Sequence, residues 1–250
     1  MPRFLFFTAV LAVGLSASAC ANLGVILAPQ VSGGTGLGGP LDQETVVQGL
    51  REALRVGSQR SIDRVGTLDG FLANELLRIA LPEQLETMGR VLRQIGLRRQ
   101  VEELEVAMNR AAEQAVGEAR EVLWDEIRAI NFTGAMTILR GGPTAATDYF
   151  QQRTETELSD RFHPIVVAKM ESVGLSRLYA DLAGRYNALP LTTKPAVDLE
   201  DYVTERALAG LFTVLGEEEA RIRAEPLART TELLRRVFSQ ATQPSGTNSR

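Results

Sequence analysis

The chain has 250 residues, of which 44% are hydrophobic and 23% charged, and this ordinary composition excludes a fibrous or wholly disordered chain. Its formal net charge of -4 at pH 7 disfavours nucleic acid and anionic lipid surfaces as partners, because both bind basic surfaces. One cysteine cannot form an internal disulfide, so packing must stabilise the fold.

Residues 1–19 are typical of a bacterial export signal peptide. Arg3 supplies a positive charge, Phe4 to Leu15 form an apolar run, and small residues follow up to Ala19. The apolar run has about twelve residues, whereas a transmembrane helix needs about twenty. We therefore expect a protein that is exported to the cell envelope and faces the periplasm.

Cys20 follows directly after the expected cleavage site, and two interpretations are open. In the first, the segment from Ala17 to Cys20 is a lipobox, and the cysteine becomes the acylated first residue of the mature chain, carrying fatty acids such as palmitate. In the second, Ala17 and Ala19 mark an ordinary cleavage site, and nothing anchors the product. We favour the first, because a free thiol is a liability in an oxidising compartment. The membrane is then a partner through the N-terminal lipid. Ala21 is not the aspartate linked with inner-membrane retention, so we expect the outer membrane.

Residues 20–41 are predicted to form a tether between the lipidated cysteine and the folded domain. The stretch from Gly33 to Pro40 is too rich in glycine to hold a regular element. Gly34, Gly36 and Gly39 have the spacing of a dinucleotide-binding loop, but that site also needs a strand before the glycines and a helix that opens on them. We expect neither element here, and therefore no cofactor.

Residues 42–239 are predicted to fold as one all-α domain, because apolar residues recur at helical spacing and no alternating pattern is long enough for a sheet. Asp42 caps the first helix, and Pro82 and Gly96 bound the second. The longest helical run extends from Arg98 to Ile130. Its alanine-rich stripe favours close packing inside the domain, with an oligomer interface as the alternative.

The C-terminal half adds further helices, for a total of about eight. Thr133 is predicted to cap a short helix, and His163-Pro164 to separate two longer ones, because proline disfavours a helical residue before it. Asp198 is predicted to cap a long helix, and Pro226 to begin the last one. Residues 240–250 form a polar tail that is predicted to be disordered.

His163 is the single histidine, which excludes a di-iron motif with two histidines and most hydrolytic zinc sites. The mature chain contains no G-x-S-x-G motif for a nucleophilic serine. We therefore expect no metal and assign no catalytic residue. Two acidic runs, Glu102-Glu103-Glu105 and Glu217-Glu218-Glu219, have arginines nearby, and we interpret both runs as solvated charged surface.

Five polar residues are the remaining candidates for a site. Asn109, Arg110 and Glu113 lie within the alanine-rich stripe, where Asn109 and Glu113 are four residues apart and can meet on one helix face. Together with Tyr149 and Arg229, they are predicted to line a polar pocket or to form a buried hydrogen-bond network. The sequence leaves both possibilities open.

Short motifs spread over residues 45–238 carry a resemblance to a known family. In chain order they are Glu52–Gly57, Asp69–Leu72, Met108–Glu113, Leu139–Gly142, Ala145–Phe150, Pro164–Val166, Asp201–Thr204, Gly210–Phe212 and Ala228–Thr231. The chain resembles the proteobacterial family called domain of unknown function 4197, whose members are often described as lipoproteins. The resemblance implies an exported, helical, single-domain protein, and it implies no activity.

The leading hypothesis is a lipid-anchored periplasmic protein that binds an unknown envelope protein or a small ligand without catalysis. A carrier that holds a hydrophobic or cyclic small molecule between helices is the second hypothesis, because helical bundles form such sites in their cores. The third is an enzyme that uses only carboxylates and arginines.

Overall fold

The structure is a computed structural model that describes residues 41–190, 192 and 195–241. The predicted signal peptide, Cys20, nearly all of the predicted tether and the tail after residue 241 lie outside the described residues. All regular structure within the described ranges is helical, which confirms the predicted all-α class. A helix with the length and hydropathy to span a membrane is not found there.

The helices follow one another in chain order, with a 3-10 turn at Pro226–Ala228 before the last. Their bounds are α1 Gln43–Val65, α2 Glu83–Gln94, α3 Arg98–Glu118, α4 Arg120–Ala129, α5 Ala135–Leu139, α6 Ala145–Ser172, α7 Leu175–Asn187, α8 Leu199–Ala224 and α9 Glu232–Ala241. The long helices α1, α3, α6 and α8 pack against one another and enclose the core. Helices α4, α5 and α9 lie against α1, while α2 and α7 lie against α3.

Several helix ends are those that the capping residues predict. The Asp42 carboxylate accepts the backbone N–H of Thr45 at 2.7 Å, and this hydrogen bond lowers the pKa of Asp42. Gly96 and Gly174 follow α2 and α6 with φ angles of 91° and 74°, a left-handed conformation that glycine adopts without strain. Local chemistry therefore fixes these boundaries.

The alanine-rich stripe of α3 packs inside the domain. Ala111, Ala112 and Ala115 are fully buried, and α3 contacts α1, α6 and α8. Small side chains allow these helices to approach closely. The structure thus accounts for the stripe by internal packing, as the sequence analysis favoured.

The predicted boundary at His163-Pro164 is wrong, because α6 continues through it from Ala145 to Ser172. Proline in a helix interior costs about 3 kcal/mol. Phe162 and Val166 are 1% and 0% exposed on either side of it, and each buried side chain of this kind contributes about 1.5–3 kcal/mol. Burial of the flanking residues outweighs the cost of the proline, whose own ring is exposed.

Two further helix starts differ from the prediction. Gly134, not Thr133, precedes α5, and the Thr133 N–H instead donates to the Tyr149 hydroxyl. Pro226 begins only a short 3-10 turn, and Leu227 in that turn is 95% exposed, outside the apolar stripe. The chain turns there because Arg229 binds carbonyl oxygens at the end of α8.

Candidate functional site

Asn109 joins α3 to the irregular segment between α1 and α2. Its side chain is fully buried, and its Oδ1 accepts the backbone N–H of Ile79 at 2.9 Å. Its Nδ2 donates to the carbonyl oxygens of Ile79 and Glu105, both at 2.8 Å. The Asn109 side-chain amide therefore pairs with both the N–H and the carbonyl oxygen of Ile79. Buried backbone groups outside a helix need such partners, because water does not supply them.

Glu113 binds the same segment one helical turn further along. Its Oε1 accepts the N–H groups of Phe71 and Leu72, each at 3.1 Å. Arg110 donates to the Glu113 Oε2 at 2.6 Å and to Asp69 at 2.7 Å. Asp69 itself has a φ of 68°, which is uncommon for a residue other than glycine. Asn109 at one place, and Glu113 with Arg110 one turn further along, thus fix this segment onto α3 through two separate sets of hydrogen bonds.

We expect the substitution Asn109→Ala to lower the free energy of unfolding by about 2 kcal/mol, because it leaves buried backbone groups of Ile79 without partners. Urea denaturation measures the change. Gln114→Ala, at an exposed position of the same helix, is the control and should shift stability by less than about 0.5 kcal/mol. Equal effects of the two substitutions would contradict the anchoring role of Asn109.

Tyr149 lies on α6, away from these two sets of hydrogen bonds. Its hydroxyl donates to the carbonyl oxygen of Asn131 at 2.8 Å and accepts the N–H of Thr133 at 3.2 Å. Its ring stacks on Phe132, and the Arg153 guanidinium lies 5.4 Å from the ring centroid. Partial burial raises the pKa of Tyr149, but the Thr133 N–H and the Arg153 charge outweigh it and lower the pKa overall. Tyr149 holds the turn between α4 and α5.

Arg229 is 4% exposed and closes the C-terminal end of α8. Its Nε donates to the Ile222 carbonyl oxygen at 2.9 Å, and its Nη2 donates to that of Arg223 at 2.8 Å. Its Nη1 donates to the Ser239 hydroxyl at 3.2 Å. Burial lowers the pKa of this guanidinium. The five predicted site residues therefore lie at three places in the fold and do not converge on one cavity. Four of them bind backbone groups, and Arg110 binds the side chains of Glu113 and Asp69.

His163 lies at the surface of α6. Its Nε2 is 3.4 Å from a carboxylate oxygen of Asp201, and its side chain is 36% exposed. The described ranges contain no group of three or more His, Cys, Asp or Glu side chains placed to hold a metal ion.

The second acidic run is not the solvated surface that the sequence analysis expected. Glu217 is exposed and pairs with Arg64, but the side chains of Glu218 and Glu219 are only 4% and 1% exposed. Glu219 accepts the N–H groups of Ala146 and Thr147 at 2.9 and 2.7 Å, at the first turn of α6. The expectation fails because α6 supplies donors that the sequence around Glu219 does not reveal.

In the first acidic run, Glu102 and Glu103 are exposed, as expected. Glu105 is mostly buried, with a side chain that is 15% exposed. Its carboxylate accepts a hydrogen bond of 2.6 Å from Arg93, a residue of α2. Packing of α2 against α3 therefore explains its burial.

A groove between α1, α4 and α9 has a volume of about 260 Å³. It was missed by the sequence analysis. The residues that line it are Gln48, Arg51, Glu52, Arg55, Trp124, Ile127, Arg128 and Leu233. Three of these are arginines, whereas only one is acidic. The spacing of Arg51 and Arg55, four residues apart on α1, was the available signal.

Two hydrogen-bond donors on residues that line the groove are buried and have no partner among the described residues. They are Nε of Arg51 and Nε1 of Trp124. Arg51 also donates through Nη2 to the carbonyl oxygen of Ile130 at 2.8 Å, whereas Arg55 binds both carboxylate oxygens of Glu52, at 2.8 and 2.9 Å. Buried donors that lack an acceptor are uncommon in folded proteins.

A family model described as "Protein of unknown function (DUF4197)" matches residues 40–239. Neither the curated proteins nor the solved structures gave a match. The family match spans all of the described helices except the last residues of α9.

Proposed function

The chain belongs to the family described as "Protein of unknown function (DUF4197)", and we propose that it is a lipid-anchored periplasmic protein with a non-catalytic binding role. The anchor is supported by the sequence of the predicted leader, residues 1–19, which is followed directly by Cys20, the single cysteine of the chain. The family description names no activity, so the binding role is argued from the described residues alone.

The binding role is supported by a difference between the hydrogen-bond partners of the buried polar residues. Asn109, Glu113 and Arg229 bind the backbone of their own domain and serve its fold. Arg51 and Trp124, by contrast, carry buried donors that have no acceptor within the described residues. A groove with apolar walls and a few polar groups is the usual form of a ligand site. The same groove favours the second candidate function, a carrier of a small molecule held between helices.

The anchor requires more than one acyl chain. Each buried methylene contributes about 0.8 kcal/mol, and a single chain gives only marginal, reversible binding. Acylation of Cys20 on sulfur and on nitrogen would supply two or three chains, which hold a protein firmly at a membrane. We infer the outer membrane from Ala21, which follows the cysteine where an aspartate would favour retention in the inner membrane.

We expect Cys20→Ala to release the protein from the membrane fraction or to stop its processing, because the acylated sulfur is lost. Fractionation of the expressing cells, with mass spectrometry of the N-terminal peptide, measures both effects. Ala21→Ser is the matched control and should still carry the acyl mass and remain with the membranes. Recovery of the wild-type chain in the cytosol, with Met1 intact and no acyl mass, would refute the anchor.

A further inference from the structure

We propose that the groove between α1, α4 and α9 binds a small carboxylate with an apolar body, such as a medium-chain fatty acid. This inference rests on the proposed binding function and names the class of its ligand. Three features of the groove support this proposal. They are the positive charge of Arg51, the buried indole N–H of Trp124, and a small apolar surface.

Arg51 is an uncompensated cation. Its side chain is partly buried, and within the described ranges it has no carboxylate partner, while its Nη2 is bound to the Ile130 carbonyl oxygen. The other two arginines of the groove are paired: Arg55 with Glu52, and Arg128 with Asp125. A partly desolvated charge without a counter-ion is costly, so an anion at Arg51 would stabilise the groove.

The charge balance around the groove favours an anion over a cation. Arg161 and Arg128 lower the pKa of Asp125, which therefore stays ionised beside the groove at neutral pH. Counting Asp125 and Glu52 against the three arginines still leaves one positive charge in excess. This local excess has the opposite sign to the net charge of the whole chain, which is -4.

The second buried donor without a partner favours a carboxylate, which has two acceptor oxygens, over a single-atom anion such as a halide. The Trp124 indole N–H is buried and has no acceptor within the described ranges, and Trp124 lines the same groove as Arg51. A carboxylate has two oxygens and can accept from both donors, and hydrogen bonds to an ionised acceptor are the stronger kind. Both nitrogens are buried beneath the lining of the groove. The proposed ligand reaches them when the exposed rim side chains of Gln48, Arg55 and Arg128 move aside.

The volume of the groove limits the size of the apolar part of the ligand. Trp124, Ile127 and Leu233 present apolar surface, and the volume of about 260 Å³ lies just below the range of about 300–1,000 Å³ that is usual for ligand pockets. This space suits a ligand of about ten non-hydrogen atoms, below the range of drug-sized sites. A phospholipid with two full acyl chains is too large for it.

The single tryptophan of the chain makes the groove directly observable, because all indole fluorescence comes from Trp124. We expect octanoate to change this fluorescence saturably in the full-length mature protein. Octylamine, which has the same chain length and the opposite charge, should bind at least about tenfold more weakly, as should the neutral octanol. Equal affinity for the three compounds, or no saturable change with octanoate, would overturn the proposal.

Two variants test the assigned donors by calorimetry. Arg51→Lys keeps the charge but removes the Nε donor, and we expect it to weaken octanoate binding about tenfold. Trp124→Phe keeps an aromatic wall without the N–H and should weaken it several-fold. Arg99→Lys, at an exposed arginine of α3 outside the groove, is the control and should bind as the wild type does. Circular dichroism checks that each variant is folded, and wild-type affinity in a folded Arg51→Lys would refute the assigned contact.

The outcomes separate this inference from the anchor. Acylation of Cys20 is measured on the N-terminal peptide and does not depend on the groove. An acylated protein that gives no octanoate signal overturns the ligand class alone. An octanoate complex of a protein that carries no acyl mass overturns the anchor alone.

Discussion

Glu219→Ala should lower the free energy of unfolding by about 3–5 kcal/mol, because it removes one partner of a buried ion pair. The Glu219 carboxylate accepts Arg223 at 2.7 Å together with the first-turn N–H groups of Ala146 and Thr147, and its side chain is 1% exposed. Arg223 in turn donates to the Leu139 carbonyl oxygen at 2.7 Å, at the end of α5. The negative charge of Glu219 therefore lies at the start of α6, and the positive charge of Arg223 lies at the end of α5. The helix dipoles favour both placements.

The adjacent Glu217 supplies the matched control for that substitution. Its side chain is 43% exposed and pairs with the exposed Arg64, so Glu217→Ala should cost no more than about 1 kcal/mol. Urea denaturation followed by Trp124 fluorescence measures both variants in the same way. If Glu219→Ala cost no more than Glu217→Ala, the cap on α6 would not contribute the stability assigned to it.

Glu219 also shows why the sequence predicts the ends of helices better than it predicts which charged side chains are buried and what they bind. The ends of α1, α2 and α8 follow from residues within a turn of each boundary, such as Asp42 and Asp198. Glu219 lies four residues after Leu215 and three before Ile222, on the buried stripe of α8, and this spacing was a usable signal. Its partners lie 72 and 73 residues away in sequence, so no local pattern identifies them.

For the same reason, the sequence offers only a partial signal for the candidate groove, the spacing of Arg51 and Arg55 on α1. Arg51, Trp124 and Leu233 come from α1, α4 and α9, and only the packing of α4 and α9 against α1 brings them together. The five polar residues singled out from the sequence could be recognised as partly buried. For Asn109, Arg110 and Glu113, whether they faced a ligand or the protein itself depended on the course of the segment between α1 and α2, which has no periodic pattern. Asn109 and Glu113 bind that segment, and it is their hydrogen bonds that give it one conformation.

Pro164→Ala is expected to stabilise the protein, whereas Glu219→Ala destabilises it. It should raise the free energy of unfolding by up to about 3 kcal/mol. Pro164 lies inside α6, lacks the N–H that would donate to the Asp160 carbonyl oxygen, and is exposed, so its ring contributes little packing. Alanine would restore that hydrogen bond and leave the buried Phe162 and Val166 in place.

Pro226→Ala is the matched control for Pro164→Ala, because Pro226 occupies the first position of a 3-10 turn, where proline fits the backbone and no N–H is needed. It should leave stability unchanged or lower it by about 0.4–1 kcal/mol, through the greater entropy of the unfolded chain. Denaturant titration of both variants separates the two positions. A Pro164→Ala variant no more stable than the wild type would mean that α6 already accommodates the missing hydrogen bond, through a local bend that the packing of Phe162 and Val166 requires. In that case the sequence-based prediction of a break at His163-Pro164 would have identified a real departure from helix geometry, though one too small to end the helix.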